Sequence, residues 1–334
     1  MKRILIKSGW LGRNTIEWYA APDQLGRHVT ELNRELVAQG YEVAFAGERR
    51  PGFKPDLELH LERQFPSSLL SKRILLYSEP MFIQPQNRLM PSWGYDFTFD
   101  WRTDRPQSSK HGLYLYPREL TRIPNPGYTD RNLLVSCIAG NKNAVLRSAE
   151  SLYGTRQRYI RLLTRRLGER FWLYGGGWNL RDHPVGFLSK VAYRTRTLQR
   201  WLERRPPLPS YRGKCGSKRD VMQRSLLTLC VENSSAPGGV SEKLIDCLQY
   251  GSVPLYLGPS NISELVPPGL YVDLRQFKNE DELIYFIENY GEPEYAAWTR
   301  ELDNYLETVA APRRIEVFVD TMVRKVHELL GTAS

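Results

Sequence analysis

Short apolar runs alternate with amphipathic stretches along this chain. The runs have the length of strands and predict buried strands at 3–8, 41–46, 56–61, 73–77, 133–138, 171–174, 226–231, 253–257 and 270–274. Apolar residues at helical spacing predict helices at 23–38, 157–167, 242–250, 280–290, 293–309 and 313–330. Strands that alternate with helices are typical of parallel sheets with helical crossovers, so the pattern predicts an α/β protein with Rossmann-like units.

The length of the chain predicts more than one domain. Its 334 residues exceed the length of one typical small domain and are enough for two domains. The stretch 117–127 is rich in proline and is the best candidate for a linker. We therefore expect an N-terminal Rossmann-like domain at 1–126 and a C-terminal domain at 127–334.

The stretch 226–258 carries the clearest chemical signal. A predicted strand ends in polar residues, a turn with two glycines follows at 236–239, and a helix begins directly after it. Such a turn lies at the carboxyl edge of a parallel sheet, where free N–H groups of the helix favour an anion and Lys243 adds a positive charge. The side chains that could bind hydroxyl groups beside it are Asn233, Ser234 and Glu242. The set suits a nucleotide sugar, although a βαβ unit with no ligand gives the same pattern.

The composition limits the kinds of molecule that the protein is expected to bind. The net charge is +10, which is compatible with phosphate-bearing ligands, an anionic membrane or nucleic acid. No zinc-finger, helix-turn-helix or RNA-binding aromatic motif is present, so nucleic acid is the weakest of the three. Residues 187–218 hold nine lysines and arginines against one acid, and their apolar residues roughly share a face. This segment predicts either peripheral contact with an anionic membrane or a packed helix with a basic outer face.

Metal and cofactor binding are not expected. The four cysteines and five histidines have no metal-ligand spacing, and the sequence contains no D-x-D motif. The cysteines are expected to be buried free thiols.

Three motifs in this stretch together resemble one enzyme family. They are Glu232-Asn233-Ser234, Ser241-Glu242-Lys243-Leu244 and Val253-Pro254-Leu255-Tyr256-Leu257-Gly258. Their order and spacing resemble the donor-binding signature of glycosyltransferase family 10, the α-1,3/1,4-fucosyltransferases, in a bacterial-type member. The resemblance covers about 129–295 well and implies a GT-B fold, with two Rossmann-like domains facing a cleft and the acceptor on the side of the first. It also implies GDP-fucose as donor, inversion at the anomeric carbon, no metal, and a last helix that returns to the first domain.

The resemblance implies roles for individual residues. Glu79, in a Ser-Glu-Pro turn after the predicted strand at 73–77, matches the family's general base, with Asp100 as the rival. Arg156 matches the arginine that binds the donor phosphates, and Arg158 could substitute for it. The implied donor-binding set is Arg156, Glu232, Asn233, Ser234, Gly239, Glu242 and Lys243.

An acceptor site is suggested by a glycine-bracketed loop after the first strand. Trp10 could stack on a sugar, and Arg13 and Asn14 could bind its hydroxyl groups, while a core position for Trp10 is the alternative. The expected partners are a nucleotide-sugar donor and a glycan or glycolipid acceptor.

The sequence departs from the family beside the donor. Gly239 stands before Val240 where members often have tyrosine, and Ser225-Leu226-Leu227 stands where they often have Tyr-Lys-Phe. Two alternatives therefore stay open: a transferase of the same fold that uses another nucleotide sugar in cell-surface polysaccharide or lipopolysaccharide synthesis, and a non-enzymatic basic protein that binds nucleic acid or anionic membrane.

Localisation is an expectation from hydropathy. No apolar run approaches the roughly 18 residues that a membrane helix needs. Animal members of the resembled family carry an N-terminal anchor that this sequence lacks. We therefore expect a cytoplasmic enzyme, and peripheral contact with the inner membrane face through 187–218 stays open as one of the two interpretations of that segment.

Overall fold

The computed structural model of the chain forms two compact units. The described residues are 1–8, 15–20, 26–48, 51–84, 86–89, 94–118, 123–144, 146–178, 208–308 and 315–332. Unit 1 contains residues 1–120 and 310–334, and unit 2 contains residues 121–309. The division falls six residues before the predicted boundary at 126.

Unit 1 is built on a parallel sheet. Its elements are β1 (Arg3–Ser8), α1 (Ile16–Tyr19), α2 (Arg27–Ala38), β2 (Glu42–Phe45), β3 (Leu57–Leu61), β4 (Lys72–Leu76), α3 (Gln86–Leu89), β5 (Phe97–Asp100) and β6 (His111–Leu113). The strand order among the described residues is β2-β1-β3-β4-β5-β6, and every pairing is parallel.

Unit 2 is built on a second parallel sheet. Its elements are β7 (Leu133–Ile138), α4 (Tyr153–Leu167), β8 (Phe171–Tyr174), α5 (Lys218–Arg224), β9 (Ser225–Val231), α6 (Glu242–Gln249), β10 (Val253–Leu257), α7 (Ile262–Leu265), β11 (Val272–Asp273), α8 (Glu280–Glu288) and α9 (Glu292–Thr308). The strand order in the described part is β11-β10-β9-β7-β8. β9 lies in the middle and is buried at every position, which explains why its sequence is almost entirely apolar.

The last helix, α10 (Ile315–Leu330), belongs to unit 1. It packs with α2 on one face of the first sheet, and its buried residues, such as Phe318 and Met322, share a core with Ile4 and Leu32. Side chains alternate between the two faces of a strand, so Ile74 and its neighbours at every second position point into this core.

Two predicted elements differ in the structure. α4 begins at Tyr153, so Arg156 lies in the first turn of the helix and not before it. The predicted strand at 270–274 shrinks to Val272–Asp273 between two short 3-10 turns, because Pro267 and Pro268 start the first of these turns and Asp273 caps the second.

Six short elements carried too little periodic signal to be predicted from periodicity. They are α1, α3, β5 and α7, which have four residues each, β6, which has three, and α5, which has seven. These helices have fewer than two turns, and these strands are too short to show a clear alternation of apolar and polar residues. Neighbouring elements therefore decide their conformation.

No helix in the described part of the chain is both long enough and apolar enough to span a bilayer.

Candidate functional site

The start of helix α6 is fixed by a side-chain cap. Ser241 has extended backbone dihedrals, and its hydroxyl accepts a hydrogen bond from Lys243 N at 3.3 Å. The preceding turn needs a glycine at Gly238, where φ is 86°, in the left-handed region. The turn is further held by Gly238 N, which donates to Asn261 Oδ1 at 3.0 Å. The sequence therefore fixes a helix N-terminus at the carboxyl edge of β9.

Glu232 is a buried carboxylate that binds the cap residue and the lysine at this edge. It follows β9 directly and is 2% exposed. Its Oε1 accepts from Ser241 N at 2.9 Å, and its Oε2 accepts from Ser241 Oγ at 2.6 Å and from Lys243 Nζ at 3.1 Å. A buried carboxylate needs such partners, because leaving it without them costs several kcal/mol. Glu232 thus holds the cap and the ammonium group of Lys243, and its own oxygens are occupied by protein donors.

Arg156 reaches the same edge from helix α4. It is 4% exposed, its Nε and Nη2 donate to Val231 O at 3.1 and 2.7 Å, and Nη2 also donates to Asn233 Oδ1 at 2.8 Å. These bonds orient Asn233. The structure therefore joins Arg156 to Asn233 across 77 positions of sequence, whereas Arg158 is exposed and stacks on Tyr159.

The remaining predicted donor residues lie around this edge. Ser234 is buried, and its hydroxyl accepts from Ala236 N at 3.1 Å, so it shapes the turn. Glu242 is about one-fifth exposed, with Oε1 4.0 Å from Lys243 Nζ. Gly239 N donates to Ala236 O at 3.1 Å within the turn. Lys243 and Glu242 are the two charged side chains of the predicted set that are partly open to solvent.

The predicted base lies in unit 1. Glu79 follows β4 in a turn at the carboxyl edge of the first sheet, and its side chain is partly exposed. Its backbone is fixed, since Glu79 N donates to Glu62 Oε1 at 2.8 Å and Glu79 O accepts from Asn87 Nδ2 at 3.2 Å. The rival base Asp100 is 2% exposed and accepts hydrogen bonds from Arg102 N and from Arg105.

Glu62 is a buried acid that sequence reasoning missed. It is fully buried directly after β3, has φ of 72°, and accepts hydrogen bonds from Ser78 N, Ser78 Oγ, Glu79 N and Asn87 Nδ2. Burial raises the pKa of Glu62 to about 7, although these donated bonds favour its ionised form. The available signal was a carboxylate at the end of a predicted strand next to the strand that leads to Glu79.

Some predicted residues lie outside the described part of the chain. These are Trp10, Arg13 and Asn14 of the predicted acceptor loop, and residues 187–207 of the basic segment. In the described remainder of that segment, Arg212 stacks on Trp172 and Lys218 pairs with Asp246 at 3.0 Å, so two of its cations have partners within the protein.

Three of the four cysteines, Cys137, Cys230 and Cys247, are buried free thiols, and burial raises the pKa of Cys137 to about 12. Within the described ranges, no group of three or more His, Cys, Asp or Glu side chains could hold a metal ion.

Comparison with known proteins finds a family match in the second half of the chain. Residues 209–313 match the model of the glycosyltransferase family 10 (fucosyltransferase) C-terminal domain. An α-(1,4)-fucosyltransferase of Arabidopsis thaliana is 35% identical over 97 residues, 27% of this chain and 24% of the relative. The α-(1,3)-fucosyltransferase FucT of Helicobacter pylori is 32% identical over 71 residues, 21% of this chain and 15% of the relative. The chain thus matches a quarter or less of the length of these curated relatives.

Solved structures support the fold over most of the chain. An α1,3-fucosyltransferase crystallised with GDP-fucose has a TM-score of 0.50 at 16% identity, covering 90% of this chain and 82% of its own. Anabaena HepE, crystallised with UDP-glucose, has a TM-score of 0.54 at 11% identity, covering 98% and 100%. At these identities the likeness concerns the fold alone, and it confirms the predicted GT-B architecture with two Rossmann-like units. The family match itself concerns residues 209–313, the segment that contains β9, α6 and Lys243.

Proposed function

We propose that this protein is an inverting glycosyltransferase that transfers L-fucose from GDP-fucose to a hydroxyl group of a glycan acceptor, in α-1,3 or α-1,4 linkage. The family match of residues 209–313 carries the proposal, because the matched segment contains the Glu232–Lys243 edge described above.

Unit 2 holds the donor in this proposal. The amides at the start of α6 and the ammonium group of Lys243 bind the diphosphate of GDP-fucose. Asn233, which Arg156 orients, and Glu242 bind hydroxyl groups of the donor. As the glycosidic bond breaks, negative charge grows on the departing β-phosphate oxygen, and the same positive groups stabilise it without a metal ion.

Unit 1 supplies the base in this proposal. Glu79 accepts the proton of the acceptor hydroxyl while that oxygen forms its bond to the anomeric carbon. The bond from that carbon to the β-phosphate oxygen breaks on the opposite side, which inverts the configuration and releases GDP. The buried Glu62 fixes the backbone of Glu79 and so limits where its carboxylate can lie.

Ligand-induced stabilisation tests the donor. GDP, GDP-fucose, GDP-mannose, UDP-glucose and UDP-N-acetylglucosamine are compared in a thermal unfolding assay, with and without EDTA. A ligand present at about 100 times its Kd stabilises the folded protein by about 2.7 kcal/mol, which is easily detected.

We expect stabilisation by GDP and GDP-fucose that EDTA does not change. Loss of that response in EDTA would argue against a metal-independent donor site. A response to UDP-sugars only would mean that the donor is a UDP-sugar and not GDP-fucose. No response to any nucleotide would favour the alternative of a non-enzymatic basic protein that binds nucleic acid or anionic membrane.

A further inference from the structure

We propose that unit 1 contains a second binding site, a cationic pocket for an acidic sugar of the acceptor glycan, one that carries a carboxylate or phosphate group. The pocket is lined by Arg63, Leu75, Tyr77, Thr98, Arg105, Pro106, Ser108 and His111 and has a volume of about 380 Å³. This volume lies in the range of about 300–1,000 Å³ that is typical of small-molecule sites. The proposal rests on the proposed transferase function for the identity of the glycan, but not for the binding of the anion.

The pocket lies on the face of the first sheet that α2 and α10 leave uncovered. Ile74 and Phe97 point into the core under those helices. Leu75 and Thr98 alternate with them and pair across β4 and β5, so they point to the opposite face. Thr98 also pairs with His111 of β6, which extends the pocket to the edge strand.

Two guanidinium groups lie close to one aromatic ring in this pocket. The Cζ atoms of Arg63 and Arg105 lie 5.3 and 5.8 Å from the ring centroid of Tyr77. Tyr77 is 4% exposed, and Leu75 beside it is also buried, so the floor is apolar and the walls are charged. The burial of this floor lowers the local dielectric and strengthens any charge-assisted bond made above it.

The lining favours an anion. It contains two arginines and a histidine and no carboxylate, while Thr98 and Ser108 add hydroxyl groups. Asp100 binds Arg105 but does not line the pocket, and Arg105 is about one-third exposed. A guanidinium group has five N–H donors in a planar fork that fits carboxylate and phosphate oxygens, and the hydroxyl groups suit the ring oxygens of a sugar.

The place of the pocket in the chain connects it with the acceptor. Its floor residue Tyr77 immediately precedes Ser78 and Glu79, and Tyr77 N donates to Phe99 O at 2.9 Å, which continues the sheet to that turn. An acceptor whose hydroxyl group meets Glu79 would therefore place a neighbouring sugar near this pocket. The expected acceptor is a glycan with an acidic or phosphorylated residue next to the one that receives the new sugar.

Direct binding of small probes tests the pocket without any transfer reaction. Glucose, glucuronic acid, glucose 6-phosphate and inorganic phosphate are titrated into the whole 334-residue chain, and Kd values are measured by ligand-observed NMR at low and moderate salt. We expect glucuronic acid and glucose 6-phosphate to bind at least about tenfold more tightly than glucose, because a bond to a charged group is stronger than one to a hydroxyl group. Tighter binding of glucose 6-phosphate than of either glucuronic acid or inorganic phosphate would identify a phosphorylated sugar. Tighter binding of glucuronic acid than of glucose 6-phosphate would identify a uronic acid.

Matched variants locate the binding. Arg63→Gln should weaken the anionic sugars about tenfold or more, and Thr98→Val should weaken them less, without loss of charge. Arg34→Gln is the control, because this substitution removes the same charge at a distant place. Arg34 is an exposed residue of α2, on the other side of the sheet. Equal binding of glucose and its acidic analogues, or equal weakening by Arg34→Gln and Arg63→Gln, would overturn the proposal.

The two proposals fail separately. Binding of acidic sugars that depends on Arg63, in a protein that binds no GDP-fucose, would support the pocket and reject the donor. Binding of GDP-fucose by a protein that does not distinguish glucose from its acidic analogues would support the donor and reject the pocket.

Discussion

At the scale of the residue, two lysines of unit 2 can be compared directly, because each forms an ion pair with a buried acid. Lys243 Nζ lies 3.1 Å from Oε2 of the buried Glu232, and Lys218 Nζ lies 3.0 Å from Oδ2 of the buried Asp246. Both side chains are about one-quarter exposed. Each lysine therefore neutralises a buried acid, but only Lys243 lies at the start of α6, where the donor phosphates are expected.

Lys243→Met should weaken GDP binding by about 10- to 100-fold, because a charge-assisted bond contributes about 1.5–3 kcal/mol. Lys218→Met should leave GDP binding unchanged. Both variants should lose similar folding stability, since each leaves a buried acid without its cation. Calorimetric titration with GDP and urea denaturation measure the two effects, and equal GDP affinity in the two variants would contradict the role of Lys243.

Glu79→Gln tests the base. The variant keeps the size and the backbone bonds of Glu79 but cannot accept the proton, so turnover should fall by about 10²- to 10⁴-fold while the Kd for GDP-fucose stays the same. Glu42→Gln, an exposed acid paired with Arg3 in the same unit, is the control. Near-normal turnover in Glu79→Gln, measured as GDP release with acceptor present, would refute the assignment.

Glu62 predicts a dependence of stability on pH. Burial raises the pKa of Glu62 from 4.5 to about 7 in the folded protein. Between these values the unfolded chain has lost the proton and the folded protein keeps it, so the free energy of unfolding falls as pH rises, by up to about 3 kcal/mol. Below pH 4.5 both states are protonated and the contribution of Glu62 no longer changes.

Glu62→Gln removes this titration, so its stability should change less between pH 5 and pH 7.5 than that of the wild type. Urea denaturation at the two pH values measures the difference. The same pH slope in both proteins would show that Glu62 titrates normally.

At the scale of the element, two helices end in the same way. Gly40 follows α2 with φ of 84°, and Gly251 follows α6 with φ of 72°. A side chain in this left-handed region costs about 1–2 kcal/mol for any residue with a Cβ. The surroundings differ, because a Cβ at Gly40 meets open space, whereas one at Gly251 would lie 2.6 Å from Asn125 Cγ and 2.9 Å from Arg131 Nη2.

Gly40→Ala should therefore destabilise the protein by about 1–2 kcal/mol, and Gly251→Ala by clearly more, since its neighbours must also move. The midpoints of urea denaturation report both changes. Equal losses would mean that Asn125 and Arg131 yield at no cost.

At the scale of the whole molecule, the chain end stabilises the chain start. Met322 of α10 is 1% exposed in the core of unit 1, and Val317 on the same helix is 44% exposed. Met322→Ala should cost about 2–5 kcal/mol, and Val317→Ala less than about 0.5 kcal/mol. Urea denaturation gives both values, and a small loss for Met322→Ala would show that α10 contributes little to this core.

The amino-acid sequence by itself determined the elements and the chemistry of one edge. Strands such as β9 and β10 and the helix α6 follow from local apolar patterns, and the cap at Ser241 follows from the residues next to it. Lys243 and Glu242 could be predicted for the same reason, because the whole strand–turn–helix lies within one short stretch. The GT-B fold followed from the resemblance of these motifs.

Only the tertiary structure decided which distant residues meet. Glu62 reaches Glu79 because β3 and β4 pair in parallel, and Arg156 of α4 reaches Asn233 because its guanidinium group also bonds Val231 O at the end of β9. Glu232, which was predicted as part of the donor-binding set, is buried and accepts a hydrogen bond from the ammonium group of Lys243. Such contacts join residues far apart in the sequence, so no local pattern records them. They depend on strand order and register, which the burial of whole sheet faces selects.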